Sequence, residues 1–200
     1  MSPPRLLAVT VVALAAATAV AASDPPPVPA MTRPDPAGKA WAVRPDGAKA
    51  VVLFVLSVEC PVSNRYAPEM ARLAAEFGGK GAVFYGVYPD PDVTPDRAGR
   101  HAAEYKLPFS VLLDPDQRLT RAAGATRVPT AVVLGPDGTV RYLGRVDDRH
   151  VGVGRAKAEP ARRDLAEALA AVLAGKAPAV ARTPVVGCEL PPPAPAGKQD

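Results

Sequence analysis

The chain has 200 residues, of which 48% are hydrophobic and 22% are charged, and its formal net charge is +4. This length allows one domain of moderate size with tails, and the apolar fraction is sufficient for a hydrophobic core. Basic and acidic residues are interspersed, without the basic and aromatic pattern of a nucleic-acid-binding surface. The 25 prolines exceed average usage and cluster at both ends, which indicates extended terminal segments.

Residues 1–22 have the pattern of a secretory signal peptide. Arg5 supplies a positive charge, Leu6 to Val20 form a short apolar stretch, and small residues offer cleavage positions. The alternative is an uncleaved membrane anchor, but the stretch is short for a span of about 20 residues. We therefore expect a secreted or periplasmic protein without stable membrane insertion after cleavage. No cysteine lies near the cleavage site, so a lipoprotein is not expected.

The rest of the chain divides into three predicted parts. Residues 23–40 are proline-rich and polar and are expected to form a solvated linker. Residues 41–175 form the predicted domain. Residues 176–200 form a tail that carries Cys188 and ends in a proline-rich stretch expected to be disordered.

Strands and helices alternate along the predicted domain. A short edge strand at Trp41 to Val43 precedes the apolar, β-branched run Val51 to Leu56, which is typical of a buried strand. A helix with Pro61 in its first turn follows and ends at Gly78. Later strands are predicted at 82–88, 110–113, 131–134 and 139–146, and later helices at about 95–105, 117–123 and 160–174. The turn at residues 136–138 makes the last strand pair antiparallel, so the predicted fold class is α/β with a central mixed sheet and helices on both faces.

Cys60 stands where the first buried strand is followed by a helix. The free N–H groups and the dipole at a helix start favour negative charge, so a thiol there ionises more readily. The thiolate is the nucleophilic form of cysteine. The pattern favours a reactive thiol at Cys60, and the alternative is a small buried residue packed at a strand end.

The segment Cys60-Pro61-Val62-Ser63, between a strand and a helix, is similar to the active-site segment of thioredoxin-like proteins, which carry Cys-x-x-Cys there. Serine replaces the second cysteine, and Ser63 is expected to hydrogen-bond the Cys60 sulfur. The element order from Trp41 to Ala174 is also that of the thioredoxin fold. The resemblance implies a cis peptide bond before Pro129, which turns the preceding backbone toward the cysteine for pairing with an extended substrate. The alternative is an ordinary trans proline at a strand start.

Within that superfamily the chain resembles the alkyl hydroperoxide reductase and thiol-specific antioxidant group, the redoxins. Three segments carry this resemblance: Glu59 to Glu69, Gly144 to Arg149, and Gly187-Cys188. A peroxiredoxin has Pro-x-x-x-Thr-x-x-Cys, and here Ser57 stands at the threonine position.

Two other peroxiredoxin positions differ in this chain. Leu53 stands at the proline position. The arginine that steadies the thiolate would align near Val128, and the neighbouring Arg127 is expected to point to the other face of an extended segment. Hydroperoxide reduction is therefore an alternative activity.

Cys188 is the second cysteine, and we predict that it pairs with Cys60 because both belong to an exported chain. In the functional interpretation it is a resolving thiol. In a structural interpretation the disulfide is a permanent cross-link. In the chain-entropy model, closing the loop between residues 60 and 188 stabilises the folded chain by about 4–5 kcal/mol. A free thiol or an intermolecular pair is the third interpretation.

The predicted function is that of a secreted thiol–disulfide oxidoreductase in which Cys60 is the attacking thiolate and Cys188 resolves it. Pro129 and its neighbours are expected to shape the substrate groove, with contributions from Ser57, Pro61, Val128 and Thr130. The expected partners are a protein thiol or disulfide or a small peroxide, with an external electron donor that the sequence does not identify. No nucleic acid, metal or cofactor is expected.

A non-catalytic binding or copper-handling module on the same fold is the alternative from another class, because fold does not fix function. His150 could join the two cysteines at such a copper site, but we expect it in an exposed loop. His101 is predicted on a surface helix. Arg145, Asp147 and Asp148 are predicted to form a surface ion-pair cluster.

Overall fold

The structure is a computed structural model that describes residues 26–152 and 154–194. The predicted signal peptide, residues 1–22, and the end of the predicted disordered stretch, residues 195–200, lie outside the described residues. Within the described ranges, no helix is long and apolar enough to cross a membrane.

The described segments form eleven strands and four α-helices. The strands are β1 (Thr32–Pro34), β2 (Ala40–Ala42), β3 (Ala50–Val55), β4 (Ala82–Tyr88), β5 (Ser110–Leu113), β6 (Arg127–Val128), β7 (Thr130–Leu134), β8 (Val140–Gly144), β9 (His150–Gly152), β10 (Arg155–Ala156) and β11 (Cys188–Glu189). The helices are α1 (Pro61–Phe77), α2 (Pro95–Glu104), α3 (Arg118–Ala122) and α4 (Asp164–Leu173), and a 3-10 turn (Gly78–Lys80) follows α1.

A five-stranded sheet in the order β5-β4-β3-β7-β8 lies at the centre of the fold. Strands β3, β4 and β5 are parallel, while β7 is antiparallel to both β3 and β8. Every residue of β3 is buried, as expected for an apolar strand covered on both faces. The predicted α/β fold with a central mixed sheet is confirmed.

Alternate side chains of β3 point into two separate cores. Val52 and Phe54 pack in a core with side chains of α1 and α4. Val51 and Leu53 pack on the opposite face with residues of α3 and of the segment that precedes the sheet. Because side chains alternate across a strand, one short apolar run supports helices on both faces.

The described part of the predicted linker, residues 26–40, is mostly exposed but is packed on the domain at several positions. Strand β1 pairs with β2, Val28 is fully buried, and Arg33 lies 2.8 Å from the buried carboxylate of Asp114. Strand β2 is the predicted edge strand at Trp41, and it joins this hairpin instead of the central sheet. Prolines limit pairing to sheet edges but do not prevent the apolar residues between them from packing on a core.

The C-terminal tail is also packed on the domain. The Leu143 N–H donates to the Ala181 carbonyl at 3.0 Å, and the Thr183 N–H donates to the Leu143 carbonyl at 3.2 Å. Further along, β11 pairs antiparallel with β6, and the Ala194 N–H donates to the Pro115 carbonyl at 2.9 Å. The predicted disorder is therefore wrong for residues 191–194.

Candidate active site

Cys60 is held at the start of α1 by a short turn. It is the residue before the first helical one, with φ −83° and ψ 110°, and Pro61 occupies the first helical position. The Cys60 N–H donates to the Ser57 carbonyl at 3.3 Å, and its carbonyl accepts from the Asn64 N–H at 3.1 Å. Proline fits the first helical position because its missing N–H would have no partner there. The sulfur is thus fixed at the positive end of the helix dipole.

The segment around Pro129 lies beside this turn. The Val128–Pro129 peptide bond is cis, as the resemblance implied. The Val128 carbonyl accepts a hydrogen bond from the Cys60 thiol at 3.6 Å. Because sulfur is a large atom, 3.6 Å is a hydrogen-bonding distance for a thiol. Cys60 itself is 1% exposed.

Cys188 reaches the same place from the C-terminal tail. It pairs with Val128 in the register of β11 against β6, and its sulfur lies 2.8 Å from the sulfur of Cys60. Both residues are free thiols in this structure. The two partners of the predicted disulfide are therefore adjacent in the fold.

The two thiols have pKa values that are shifted in opposite directions. Burial raises the pKa of Cys60, but hydrogen bonds from Cys188 and from Ser63 and Val62 outweigh it, so this pKa lies below its ordinary value. Burial, the hydrogen bond to Cys60 and the charge of its thiolate raise the pKa of Cys188 to about 11. The arrangement therefore favours a thiolate at Cys60 with a protonated thiol at Cys188 beside it.

Ser63 supplies the hydroxyl that the Cys-x-x-Ser segment places near the sulfur. The residue is 3% exposed, and its hydroxyl has no hydrogen-bond partner among the described residues when Cys60 is a thiol. Its backbone N–H and its hydroxyl both help to lower the Cys60 pKa. Ser63 is thus a buried donor available to a thiolate, in the place of a second cysteine.

Only one of the four residues predicted to shape the groove beside Cys60 forms a hydrogen bond with the Cys60 thiol. Val128 lies in the groove, where its carbonyl contacts Cys60. The Thr130 hydroxyl donates to the Arg127 carbonyl at 2.6 Å, and the Ser57 hydroxyl accepts from the Glu59 N–H at 3.3 Å. These two hydroxyls stabilise their own loops. Pro61 is exposed at the helix start.

Arg127 and Gly187 are site residues whose roles the sequence did not reveal. The Arg127 guanidinium donates to the Gly187 carbonyl at 3.2 Å and to the Glu189 carboxylate at 3.0 Å. Arg127 therefore binds the tail, in agreement with the expectation that it does not occupy the peroxiredoxin arginine position. Its charge acts on Cys188, whose pKa it lowers against the larger effects of burial and Cys60.

The prediction of a surface position for His101 is wrong. The residue is 8% exposed, its Nε2 donates to the Asn64 side-chain oxygen at 2.9 Å, and its Nδ1 accepts from the Tyr88 hydroxyl at 2.6 Å. The Asn64 amide in turn donates to the Val58 carbonyl at 3.3 Å. Burial lowers the pKa of His101, which favours the neutral ring that this network requires.

The prediction of an exposed His150 is wrong as well. His150 is 5% exposed, and its ring lies 4.9 Å from the ring of Tyr66 in an edge contact. Burial lowers the pKa of His150, against the opposing charge of Asp147. In the part of the chain that the structure describes, no group of three His, Cys, Asp or Glu side chains could hold a metal ion.

The residues predicted as a surface ion-pair cluster are partly buried and do not act as one cluster. Asp147 is 1% exposed and accepts a hydrogen bond from the Tyr66 hydroxyl at 2.6 Å. Asp148 pairs with Lys157 at 2.5 Å, and Arg145 pairs with Asp164 at 2.8 Å. The Tyr66 hydroxyl donates to the buried Asp147 carboxyl and so offsets part of the free-energy cost of burying it.

The fold and the site together define a thioredoxin-like protein with one cysteine at the start of its long helix. The model of the AhpC/TSA family matches residues 27–143, so the chain belongs to that family. No curated protein matches the chain.

Solved structures with the same fold include several bacterial proteins. An uncharacterized conserved protein from Geobacillus kaustophilus has a TM-score of 0.74 at 22% identity, over 87% of this chain and 94% of that chain. A hypothetical protein from Sinorhizobium meliloti has a TM-score of 0.71 at 23% identity, over 84% of this chain and 94% of that chain. A secreted disulfide oxidoreductase from Mycobacterium tuberculosis has a TM-score of 0.50 at 20% identity, over 72% of this chain and 95% of that chain. At these identities the likeness concerns the fold.

Proposed function

We propose that the chain is a thiol–disulfide oxidoreductase whose redox pair is Cys60 and Cys188. The observation that supports this most strongly is the 2.8 Å separation of the two sulfurs. The opposite shifts of their pKa values support a division of roles in which Cys60 is the attacking thiolate and Cys188 is the thiol that resolves the intermediate. Only the thiolate is nucleophilic, so the thiol with the lowered pKa reacts first.

The reaction proceeds through two exchanges at sulfur. The Cys60 thiolate attacks one sulfur of a substrate disulfide, and the other substrate sulfur leaves with the electron pair and takes up a proton. Cys188 then loses its proton and attacks the Cys60 sulfur, which releases the second substrate thiol. The substrate gains two electrons and two protons, and the chain is left with a Cys60–Cys188 disulfide. A protein disulfide or thiol is the partner that this chemistry requires.

Regeneration of the dithiol requires an external donor with two thiols, because the first forms a mixed disulfide and the second releases it as the donor's own disulfide. Attack on the Cys188 sulfur expels Cys60, and a thiolate of lower pKa leaves faster. Cys188 is also less buried than Cys60 in the structure. We therefore propose that the electron donor contacts Cys188 first.

We infer that the protein acts outside the cytoplasm after removal of residues 1–22. The apolar stretch with its preceding arginine and following small residues supports this inference. The similar protein from Mycobacterium tuberculosis is described as secreted. An oxidising compartment would allow the Cys60–Cys188 disulfide to persist between reaction cycles.

The experiment that tests the proposed pair is a redox titration of the purified protein in glutathione buffers, with thiols trapped at each potential. We expect one intramolecular disulfide with a midpoint between about −120 and −270 mV, the range of redox-active pairs. Cys60→Ser and Cys188→Ser should each abolish it. A midpoint below about −300 mV would identify a structural cross-link, and two thiols that never pair would contradict the proposal.

Hydroperoxide reduction is a second candidate because the chain belongs to the AhpC/TSA family and its sequence resembles the alkyl hydroperoxide reductase group. The Cys60 thiolate would then attack one peroxide oxygen, and the O–O bond would break with release of water or an alcohol. The Cys60 sulfenic acid would react with the Cys188 thiol to give the same disulfide and a molecule of water. In the structure the Ser57 hydroxyl accepts from the Glu59 N–H, and Arg127 binds Glu189 of the tail. Both side chains would have to exchange these partners in order to bind a peroxide. Consumption of hydrogen peroxide by the reduced protein, with Cys60→Ser as control, distinguishes this activity from exchange alone.

A further inference from the structure

The tail fills the groove beside Cys60 in the form of an extended strand. Cys188 pairs with Val128, and Glu189 pairs with Arg127, in an antiparallel register. With the tail in place Cys60 is 1% exposed, so a protein partner can reach its sulfur only after the tail has left. The contacts between groove and tail are therefore the contacts available to an extended partner segment.

The groove accepts only glycine at the position before the cysteine. A Cβ atom at Gly187 would lie 1.9 Å from the Val128 carbonyl oxygen and 3.1 Å from Cδ of Pro129. The first atom belongs to the backbone of the site itself, so no side-chain movement can relieve the overlap. Glycine is required here by the close approach of two backbones, and the same restriction applies to any segment in this register.

Arg127 is the groove residue that contacts the position after the cysteine of the bound strand. Its guanidinium contacts the Gly187 carbonyl, which every residue type would offer, and the Glu189 carboxylate, which only an acidic residue offers. The Glu189 side chain is 81% exposed, so this ion pair is solvated. Exposed pairs of this kind change an equilibrium by about twofold to fivefold.

We propose that the groove selects an extended partner segment with the sequence glycine, cysteine, acidic residue, and that the chain's own tail competes for it. Arg127 is the residue that determines specificity for the acidic position. The proposal rests on the thiol–disulfide exchange proposed above. The partner class is thus a protein whose reactive cysteine lies in an extended segment with these two neighbours.

The covalent step accompanies an exchange of strands. When the tail leaves, the partner strand pairs with β6 and the Cys60 thiolate attacks the partner's cysteine sulfur. The bond from that sulfur to its former partner breaks, and the departing sulfur takes the electron pair and a proton. As the tail returns, Cys188 attacks Cys60 and the partner cysteine leaves as a thiol.

The test uses the Cys188→Ala protein, in which Cys60 is the single thiol, and hexapeptides whose cysteine carries a thionitrobenzoate disulfide. The parent peptide copies residues 185–190 (Val-Val-Gly-Cys-Glu-Leu). Release of thionitrobenzoate reports formation of the mixed disulfide. An alanine in place of the glycine should slow the reaction at least about tenfold, as one excess methyl group does in a closed site. A lysine in place of the glutamate should slow it about threefold.

Two protein variants test the assigned contacts. Arg127→Glu should reverse the order, so that the lysine peptide reacts faster than the glutamate peptide. Gly187→Ala should displace the tail and raise the rate with the parent peptide about tenfold, because a larger fraction of the protein has an open groove. Gly79→Ala is the matched control, since a Cβ there meets nothing within 4 Å, and its rate should not change.

The outcomes separate this proposal from the proposed function. Equal rates for the parent, alanine and lysine peptides would overturn the specificity while leaving Cys60 reactive, if they are seen both in the Cys188→Ala protein and in its Gly187→Ala variant. An unchanged rate in Gly187→Ala would overturn the competition by the tail. If neither the peptides nor dithiobis(nitrobenzoate) reacts with Cys60 in any variant, the exchange reaction itself is contradicted and this proposal with it.

Discussion

At the scale of single residues, the chemistry of Cys60 depends on the donors around one buried sulfur. Burial alone would raise the pKa of this thiol, and the hydrogen bonds of Cys188, Ser63 and Val62 reverse that effect. Hydrogen bonds to the charged form of a group favour that form. Ser63 contributes to the stabilisation with both its backbone N–H and its side chain, so replacing the second cysteine of Cys-x-x-Cys by serine retains a donor while removing a redox partner.

Ser63→Ala should therefore raise the pKa of Cys60. The hydroxyl donor is lost, while the backbone N–H of residue 63 remains. The measurement is the ultraviolet absorbance of the thiolate against pH, made in a Cys188→Ala background so that one thiol titrates. The midpoint should move to higher pH, and the rate of disulfide exchange at neutral pH should fall because less thiolate is present.

Ser57→Ala is the matched control for that prediction. Its hydroxyl accepts from the Glu59 N–H and is not among the groups that lower the Cys60 pKa. The Cys60 midpoint should stay in place in this variant. An equal shift in both variants, or none in Ser63→Ala, would contradict the role assigned to the Ser63 hydroxyl.

At the scale of elements, a network of side-chain hydrogen bonds connects α1, α2 and β4 with the turn before Cys60. His101 of α2 joins Asn64 of α1 to Tyr88 of β4, and Asn64 donates to the Val58 carbonyl in the turn before Cys60. The Nδ1 atom accepts a hydrogen bond from the tyrosine hydroxyl only while the ring is neutral. The position of the turn is thus linked to the protonation state of His101.

This linkage predicts a loss of stability in mildly acidic solution. Burial lowers the folded-state pKa of His101 below its ordinary 6.5, so the unfolded chain takes up this proton at higher pH than the folded one does. The stabilisation is complete above the unfolded-state value and decreases as the pH falls toward the folded-state value. The free energy of unfolding, measured with urea, should therefore fall from about pH 7 to about pH 5.

His101→Gln should reduce that pH dependence. The pKa of His150 is also lowered by burial, so His150→Gln should reduce it as well, and the double variant should show the smallest slope. A slope that is unchanged in all three variants would show that neither histidine titrates in a buried state.

At the scale of the whole molecule, the tail joins parts of the fold that are distant in sequence. It lies along β8, pairs with β6 beside Cys60, and ends near the turn before α3, where Gln117 donates to the Pro191 carbonyl at 2.7 Å. Close approach at β8 depends on Gly144, where a Cβ would lie 2.0 Å from the Thr183 hydroxyl. The tail is therefore part of the folded domain as well as part of the site.

Thr183→Val should lower the free energy of unfolding by about 0.5–1.5 kcal/mol, the net contribution of a hydrogen bond, because the part-buried Arg145 N–H loses its acceptor. The Thr183 hydroxyl accepts from the Arg145 N–H at 3.0 Å and contacts the Tyr142 hydroxyl at 2.8 Å. Valine has nearly the same shape and neither function. Urea unfolding provides the measurement.

Thr126→Val is the matched control, because Thr126 is exposed. Its effect should stay within about 0.5 kcal/mol, as for most surface substitutions. If the two variants were equally stable, the hydrogen bonds of Thr183 would not hold the tail on the domain.

The sequence by itself determined the five strands of the central sheet, the four helices and the place of Cys60 between β3 and α1. The buried run of β3, the proline after Cys60 and the turn at residues 136–138 are local signals, and each depends on neighbours within a few positions. The cis bond at Pro129 followed from resemblance, since the local sequence allowed a trans proline equally well.

The tertiary structure alone decided what lies against these elements. Sequence patterns for the proline-rich ends indicated solvated segments, yet residues 26–34 and 181–194 pack on the domain, because a few apolar residues and backbone hydrogen bonds suffice at an edge. The partners of His101, Asp147 and Arg127 come from distant parts of the chain, and a single polar residue leaves no periodic signal of such contacts. The approach of Cys188 to Cys60 depends on Gly187, Gly144 and Thr183 acting together, and only the folded chain brings these residues together.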